Sequence, residues 1–162
     1  MKTFLRNLLF LLAGLVGLAS CERVETTRIP AFNAYIDLGN SGMWNTYGVH
    51  GYGDHTYFDK GKRIPLDFPF TERTYTGFGG ILLTYGINGP LAYDRACPYE
   101  AERDVVLSFD SERLEAYCPK CGSRFSVCEA DGAPLSGPAF DRHYGLQRLS
   151  VVPSNGGYII TR

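Results

Sequence analysis

Two short loops constrain this chain more than any other feature: Cys97-Pro98-Tyr99-Glu100, and Cys118-Pro119-Lys120-Cys121-Gly122-Ser123-Arg124-Phe125. Each sets a thiol on a proline-stiffened turn, with a second possible ligand three positions on. Any fold for the sequence must carry both loops, and the layout suits one metal centre clamped between two hairpin tips. Neither loop contains a histidine, so the donors on offer are sulfur and oxygen.

The sequence around the loops alternates short apolar runs with turn residues, which predicts strands and tight reversals. Ala34 to Leu38 is a first strand closed by Gly39-Asn40, and residues 41 to 62 read as a long loop or irregular hairpin. In that stretch Trp44, Tyr47, Tyr52, Tyr57 and Phe58 are candidates to cover one end of the core. Ile81–Tyr85 and Leu91–Asp94 flank Ile87-Asn88-Gly89-Pro90, a hairpin with the turn chemistry it needs. Three more hairpins follow: Val105–Phe109 with Leu114–Tyr117, Phe125–Val127 with the segment around Leu135, and Leu146–Val152 with Tyr158–Thr161. No segment after the first twenty residues shows helical periodicity. Serial hairpins at this spacing predict an all-β antiparallel sandwich or small barrel.

The first residues belong to a different problem. Lys2 and Arg6 precede an apolar run from Leu8 to Leu18, too short to span a bilayer comfortably. The run ends in Leu18-Ala19-Ser20-Cys21, which resembles the lipobox of bacterial lipoproteins. On that resemblance residues 1–20 are a signal peptide, Cys21 is the acylated mature N-terminus, residues 21–33 are a polar tether, and 34–162 form the domain. Localisation is then a membrane-anchored lipoprotein on the periplasmic or cell-surface side, with the outer membrane expected. An ordinary cleaved signal peptide, with Cys21 incidental, is the alternative. Export places the remaining thiols, Cys97, Cys118, Cys121 and Cys128, where cysteine pairs oxidise unless a metal takes them first. Four cysteines allow three pairings, and spacing does not choose among them.

Ala92-Tyr93-Asp94-Arg95-Ala96-Cys97-Pro98, then the second loop through Gly122-Ser123-Arg124-Phe125, then Gly137-Pro138-Ala139, resembles the Rieske iron–sulfur domain over roughly residues 80–162. The resemblance implies three small antiparallel sheets with a cysteine-loop subdomain at about 95–140. It also implies a [2Fe–2S] cofactor, Gly122, Ser123 and Pro138 beside it, and electron transfer as the function. Ser123 matches the serine that bonds a bridging sulfide. Rieske domains supply two cysteines to one iron and two histidines to the other. Here Cys97 and Cys118 match the cysteines, Tyr99 and Cys121 stand at the histidine positions, and Glu100 offers a carboxylate. The chain is also similar to a divergent group of Rieske-like lipoproteins from Bacteroidetes, whose first loop reads Cys-Pro-Tyr-His and whose second ends in cysteine. Cys97, Cys118, Cys121 and Glu100 are therefore the candidate metal ligands.

Charge counting separates this set from a Rieske centre. A doubly positive oxidised core with two thiolates and two imidazoles is neutral, whereas three thiolates and a carboxylate leave about two negative charges. Adding an electron is then harder, and the potential falls from the Rieske range of about −150 to +300 mV toward roughly −400 mV. Two other readings stay open: a structural zinc on Cys97, Cys118, Cys121 and Glu100 or Cys128, and no metal, with Cys97–Cys118 and Cys121–Cys128 as disulfides. On those readings the chain is a degenerate Rieske fold acting as a binding or structural lipoprotein. Partners are the membrane through the anchor and a redox or protein partner on the same side. The formal net charge of −1 with no basic stripe argues against nucleic acid. His50 and His55 are expected to be surface histidines and His143 structural, and no nucleophile–base pair or phosphate loop argues for an enzyme. At most the chain is an electron-transfer component.

Overall fold

A computed structural model describes residues 23–162; the expected signal peptide and Cys21 lie outside the described residues. The chain is all-β and antiparallel, as its hairpins predict. Eleven strands are β1 (Ala34–Leu38), β2 (His55–Phe58), β3 (Tyr75–Thr76), β4 (Ile81–Gly86), β5 (Gly89–Asp94), β6 (Ser108–Asp110), β7 (Glu115–Tyr117), β8 (Arg124–Ser126), β9 (Pro134–Ser136), β10 (Arg148–Ser154) and β11 (Gly157–Thr161). They form a seven-stranded sheet ordered β2-β4-β5-β10-β11-β1-β3 and a four-stranded sheet ordered β6-β7-β8-β9.

The larger sheet is two pairings fused through one long strand. The start of β10 pairs with β5 (Arg148 with Tyr93, Leu149 with Ala92), and its remainder, from Ser150, pairs with β11. The expected three groups of strands are thus present, two of them sharing β10. The outer edges of the larger sheet also approach each other. Lys60, just after β2, donates through its backbone to Thr76 Oγ1 (3.3 Å) and through Nζ to Thr74 O (3.1 Å) beside β3, so the sheet nearly closes. Its interior holds Ile36, Leu38, Trp44, Phe58, Phe68, Ile81, Leu83, Leu149 and Ile160.

Residues 41–62 differ from the long loop expected. A two-turn helix, α1 (Ser41–Tyr47), begins where the Asn40 side chain accepts from Met43 N–H, and then β2 pairs with β4. Seven residues are too few to show a helical period, and the cap rather than the apolar pattern marks the helix. Trp44 and Phe58 enter the core as expected, whereas Tyr52 stays 49% exposed.

Strand β4 is buried on both faces, and this positions the functional end. Ile81 and Leu83 point into the nearly closed sheet, while Leu82 joins Tyr93, Leu107, Ala116, Phe125, Val127 and Leu146 in a second core under the small sheet. Burying a leucine such as Leu82 stabilises by about 1.5–3 kcal/mol. Polar contacts fix the same junction: Arg95 Nε donates to Leu107 O (2.8 Å), its guanidinium lies 3.9 Å from the Tyr57 ring centroid, and Tyr57 Oη accepts from Phe109 N–H (2.8 Å). The segment between β9 and β10 folds into a single-turn helix, α2 (Pro138–Asp141).

Within the second core, Tyr93 Oη is buried and finds no hydrogen-bond partner among the described residues. A buried hydroxyl without a partner costs about 1–3 kcal/mol. Tyr93→Phe should therefore raise unfolding free energy by about 1 kcal/mol in a denaturant titration; a loss of stability would show that the hydroxyl is satisfied.

Candidate metal centre

The first loop leaves β5 and the second links β7 to β8, so both emerge at one end of the small sheet. They are the same turn built twice. Cys97 O accepts from Ala101 N–H (2.8 Å), and Cys118 O accepts from Gly122 N–H (2.9 Å). The fifth residue of each has positive φ, 52° at Ala101 and 74° at Gly122. Glycine takes that conformation freely, whereas an alanine there costs about 1–2 kcal/mol. Inside each turn the two amides before that residue point at the sulfur: Tyr99 and Glu100 N–H at Cys97, Lys120 and Cys121 N–H at Cys118. Glu100 and Cys121 consequently occupy equivalent positions.

The turns bring three thiols together. The sulfurs of Cys97, Cys118 and Cys121 all lie within 4.8 Å of one another, and Cys97 Sγ is 3.7 Å from Cys121 Sγ. Cys97 and Cys118 are fully buried and Cys121 is half-buried. All four cysteines of the described residues are free thiols, and the cluster sulfurs are spaced well beyond the ~2.05 Å of a disulfide. This group could hold a metal ion.

The other candidates fall as follows. Glu100 is outside the sulfur group: its carboxylate pairs with Lys120 Nζ at 2.8 Å, and Lys120 also reaches Glu102 at 3.1 Å. This ion pair ties the first turn to the second. Ser123 is buried against the cluster, 3.1 Å from Cys121 Sγ, and its oxygen accepts from Ala139 N–H at 3.0 Å. That acceptance leaves the hydroxyl proton free for an ionised Cys121. Gly137 has φ +80°, and a Cβ there would lie 2.8 Å from Ser123 Cα, so only glycine lets the Gly137-Pro138-Ala139 turn seat on Ser123.

Cys128 stands apart from the group, with Sγ 3.4 Å from Thr84 Oγ1, so Cys121 lies with Cys97 and Cys118 rather than beside Cys128. No histidine joins the cluster. His55 stacks on Phe109 with centroids 4.1 Å apart, His50 packs edge-on to Trp44, and the His143 carbonyl accepts from Glu25 N–H.

Two features of the site were not read from the sequence. Lys120 is one: it lies in the second loop and pairs with Glu100 and Glu102 of the first, a contact that exists only across the two loops. Asp94 is the other: its buried carboxylate accepts from Phe78 (2.6 Å), Gly79 (3.0 Å) and Ala96 (3.0 Å) N–H. It thereby fixes the chain one residue before Cys97. Burial pushes its pKa up, against the three amides that pull it down.

The thiols are tuned differently. Burial raises Cys97 and Cys118 above the ordinary range, outweighing the amides aimed at them. At Cys121 burial also pushes upward, but the Ser123 hydroxyl and amide and the two neighbouring thiols outweigh it, and its pKa is lowered. Cys121 is the first of the three to ionise. Comparison with known protein families and with curated proteins finds no match to this chain.

A pH dependence follows for the metal-free protein. Unfolded thiols ionise near 8.5, while folded Cys97, Cys118 and Cys128 hold their protons longer. Above about pH 8.5 the unfolded state binds fewer protons than the native state, so stability must fall as pH rises. Thermal melts of chelator-treated, reduced protein between pH 7 and 10 should show Tm dropping across the upper half of that range. A flat or rising Tm would contradict the buried, neutral thiols.

Proposed function

We propose that this chain is a lipid-anchored metal-binding protein whose β domain holds a thiolate-ligated centre on Cys97, Cys118 and Cys121. One observation carries the reading: three sulfurs converge from two copies of one turn, each aimed at by backbone or hydroxyl donors. A tetrahedral ion with metal–sulfur bonds of about 2.3 Å has sulfur–sulfur edges of about 3.8 Å, and the 3.7 Å between Cys97 and Cys121 matches such an edge. The spacing therefore supports a single ion. The fourth position would fall to Glu100, the counterpart of Cys121 in the other turn, once its carboxylate turned from Lys120 toward the sulfurs. In that arrangement iron would make the protein a one-electron carrier, and zinc would make it a clamp between the turns.

The [2Fe–2S] cluster that the Rieske resemblance implies is the second reading. It is favoured by Ser123 beside Cys121 and by the Gly137-Pro138-Ala139 turn on Ser123. It asks Cys121 to move away from Cys97 and Cys118, since its position in the motif is that of a ligand to the other iron. The lipid anchor rests on the Leu18-Ala19-Ser20-Cys21 motif. Electron transfer to a partner on the same membrane face is the function that either iron centre would serve.

Protein purified without oxygen separates these readings through metal and acid-labile sulfide analysis. One iron or zinc per chain without sulfide is the expected result; two irons with two sulfides would establish the cluster, and metal-free protein with disulfides would overturn the proposal. Cys121→Ser should weaken cobalt binding by about 100-fold or more, as loss of a direct ligand exceeds the 10–100-fold typical of supporting residues. Glu100→Cys should instead tighten binding and strengthen the sulfur-to-cobalt charge-transfer bands by about one-third, from three thiolates to four. Unchanged bands in Glu100→Cys would show that this position does not face the ion.

A further inference from the structure

Residues 23–33, read from the sequence as a free tether, lie along the domain instead. Glu25 N–H donates to His143 O (2.7 Å) and Glu25 O accepts from Gly145 N–H (2.8 Å), a parallel bridge beside Tyr144. The Arg28 guanidinium sits 4.9 Å from the Tyr144 ring centroid. Ile29 is only 2% exposed, and its carbonyl accepts from Gln147 Nε2 at 3.4 Å. Phe32 then packs on Phe78, with centroids 5.3 Å apart, under Arg103. A strap held at this many points is part of the domain.

Docking changes how far the domain can stand from its anchor. A free stretch from residue 21 to 33 could extend roughly 45 Å, whereas the stretch from Cys21 to Glu25 reaches at most about 14 Å. A domain of this size is roughly 35–40 Å across, so the acyl chains cannot reach past the end where Glu25 is held. That end carries the cysteine site. Tyr144 N–H donates to Ala139 O (2.9 Å), Ala139 N–H donates to Ser123 Oγ, and Ser123 touches Cys121. The surface there is suited to lipid: Phe140 is 48% exposed and Val24 38%, beside the exposed guanidinium groups of Arg23, Arg28 and Arg142. Apolar side chains among arginines fit the headgroup boundary of an anionic bilayer.

We infer that the docked strap holds the α2 end of the domain, and the cysteine site behind it, against the phospholipid bilayer in which the acyl chains of Cys21 are embedded. The inference rests on the lipid-anchor part of the proposed function and is independent of which metal is bound. The protein is a membrane-apposed module, and any partner for the site must approach along the bilayer plane.

The test uses the full acylated protein in phosphatidylethanolamine–phosphatidylglycerol vesicles with brominated acyl chains, which quench tryptophan at the boundary. Trp44 is buried and serves as a constant background. About half or more of the emission added by Phe140→Trp should be quenched, against about a tenth or less of that added by Leu66→Trp, since boundary residues sit about 5–10 Å into the headgroup region. A flexible Gly/Ser insert of about a dozen residues before Arg23 should abolish the quenching while the protein still floats with the vesicles. Equal quenching of the two variants, or none in floating protein, overturns the orientation alone. Protein that does not float with vesicles overturns the anchor and the orientation together, leaving the metal reading to its own test.

Discussion

Bringing three sulfur atoms within 4.8 Å of one another at one end of a β domain is the demand that the rest of the structure meets. Thiols are soft, weakly hydrogen-bonding groups, and nothing in sulfur–sulfur attraction would gather them. The gathering comes from backbone. In each turn the fifth amide donates to the first carbonyl and, in doing so, the turn points two amides at its sulfur. The first turn accepts an alanine at φ 52° to achieve this, where the second has the more suitable glycine. Strain of that kind in a non-glycine residue is held only where the surroundings over-determine it. The Glu100–Lys120 pair, spanning both turns, is one such determinant.

From this demand the connections to the larger sheet follow. A site made from loops needs a rigid base, and the small sheet has only three-residue strands. Its rigidity is borrowed. Leu82 reaches it from the outer face of β4, Arg95 and Tyr57 bind its first strand, and the Asp94 carboxylate fixes the approach to Cys97. Burying a carboxylate three residues before a buried thiol is costly in desolvation, and three hydrogen bonds from backbone amides offset that cost. The site is thus supported from the nearly closed sheet through a few contacts, each of which has a named donor or apolar face.

The hairpins were legible because their reversals depend on local chemistry: Asn88-Gly89, Asp131-Gly132 and Asn155-Gly156 mark turns whatever surrounds them. The sulfur cluster was legible for the same reason, since Cys-Pro-x-x repeats in both loops. What escaped depends on distance in space. The helix at Ser41–Tyr47 is two turns long and marked by one capping asparagine. The strap at 23–33 is polar in sequence, and its docking rests on backbone hydrogen bonds, the Ile29 side chain and single ring contacts of Arg28 and Phe32, none of which leaves a period. Lys120 and Glu100 are ordinary charged residues in the sequence, and their pairing exists only once the two loops are side by side.

The same sulfurs answer to opposite protonation requirements, and this links stability to function. The metal-free domain is most stable with Cys97 and Cys118 neutral, because burial penalises their thiolates. A metal requires them ionised and releases their protons on binding. Cys121, whose pKa is lowered, is the natural point of entry: half-buried, first to ionise, and steadied by Ser123. An ion captured there by one thiolate would lower the cost of ionising the two buried thiols beside it, so loading would proceed from the exposed sulfur inward. The same exposure makes Cys121 the thiol most open to oxidants, since the thiolate is the reactive form. In an oxidising compartment, loading and oxidation would therefore compete at one atom, and the positive charge of a bound ion would protect the other two by holding all three sulfurs in coordination.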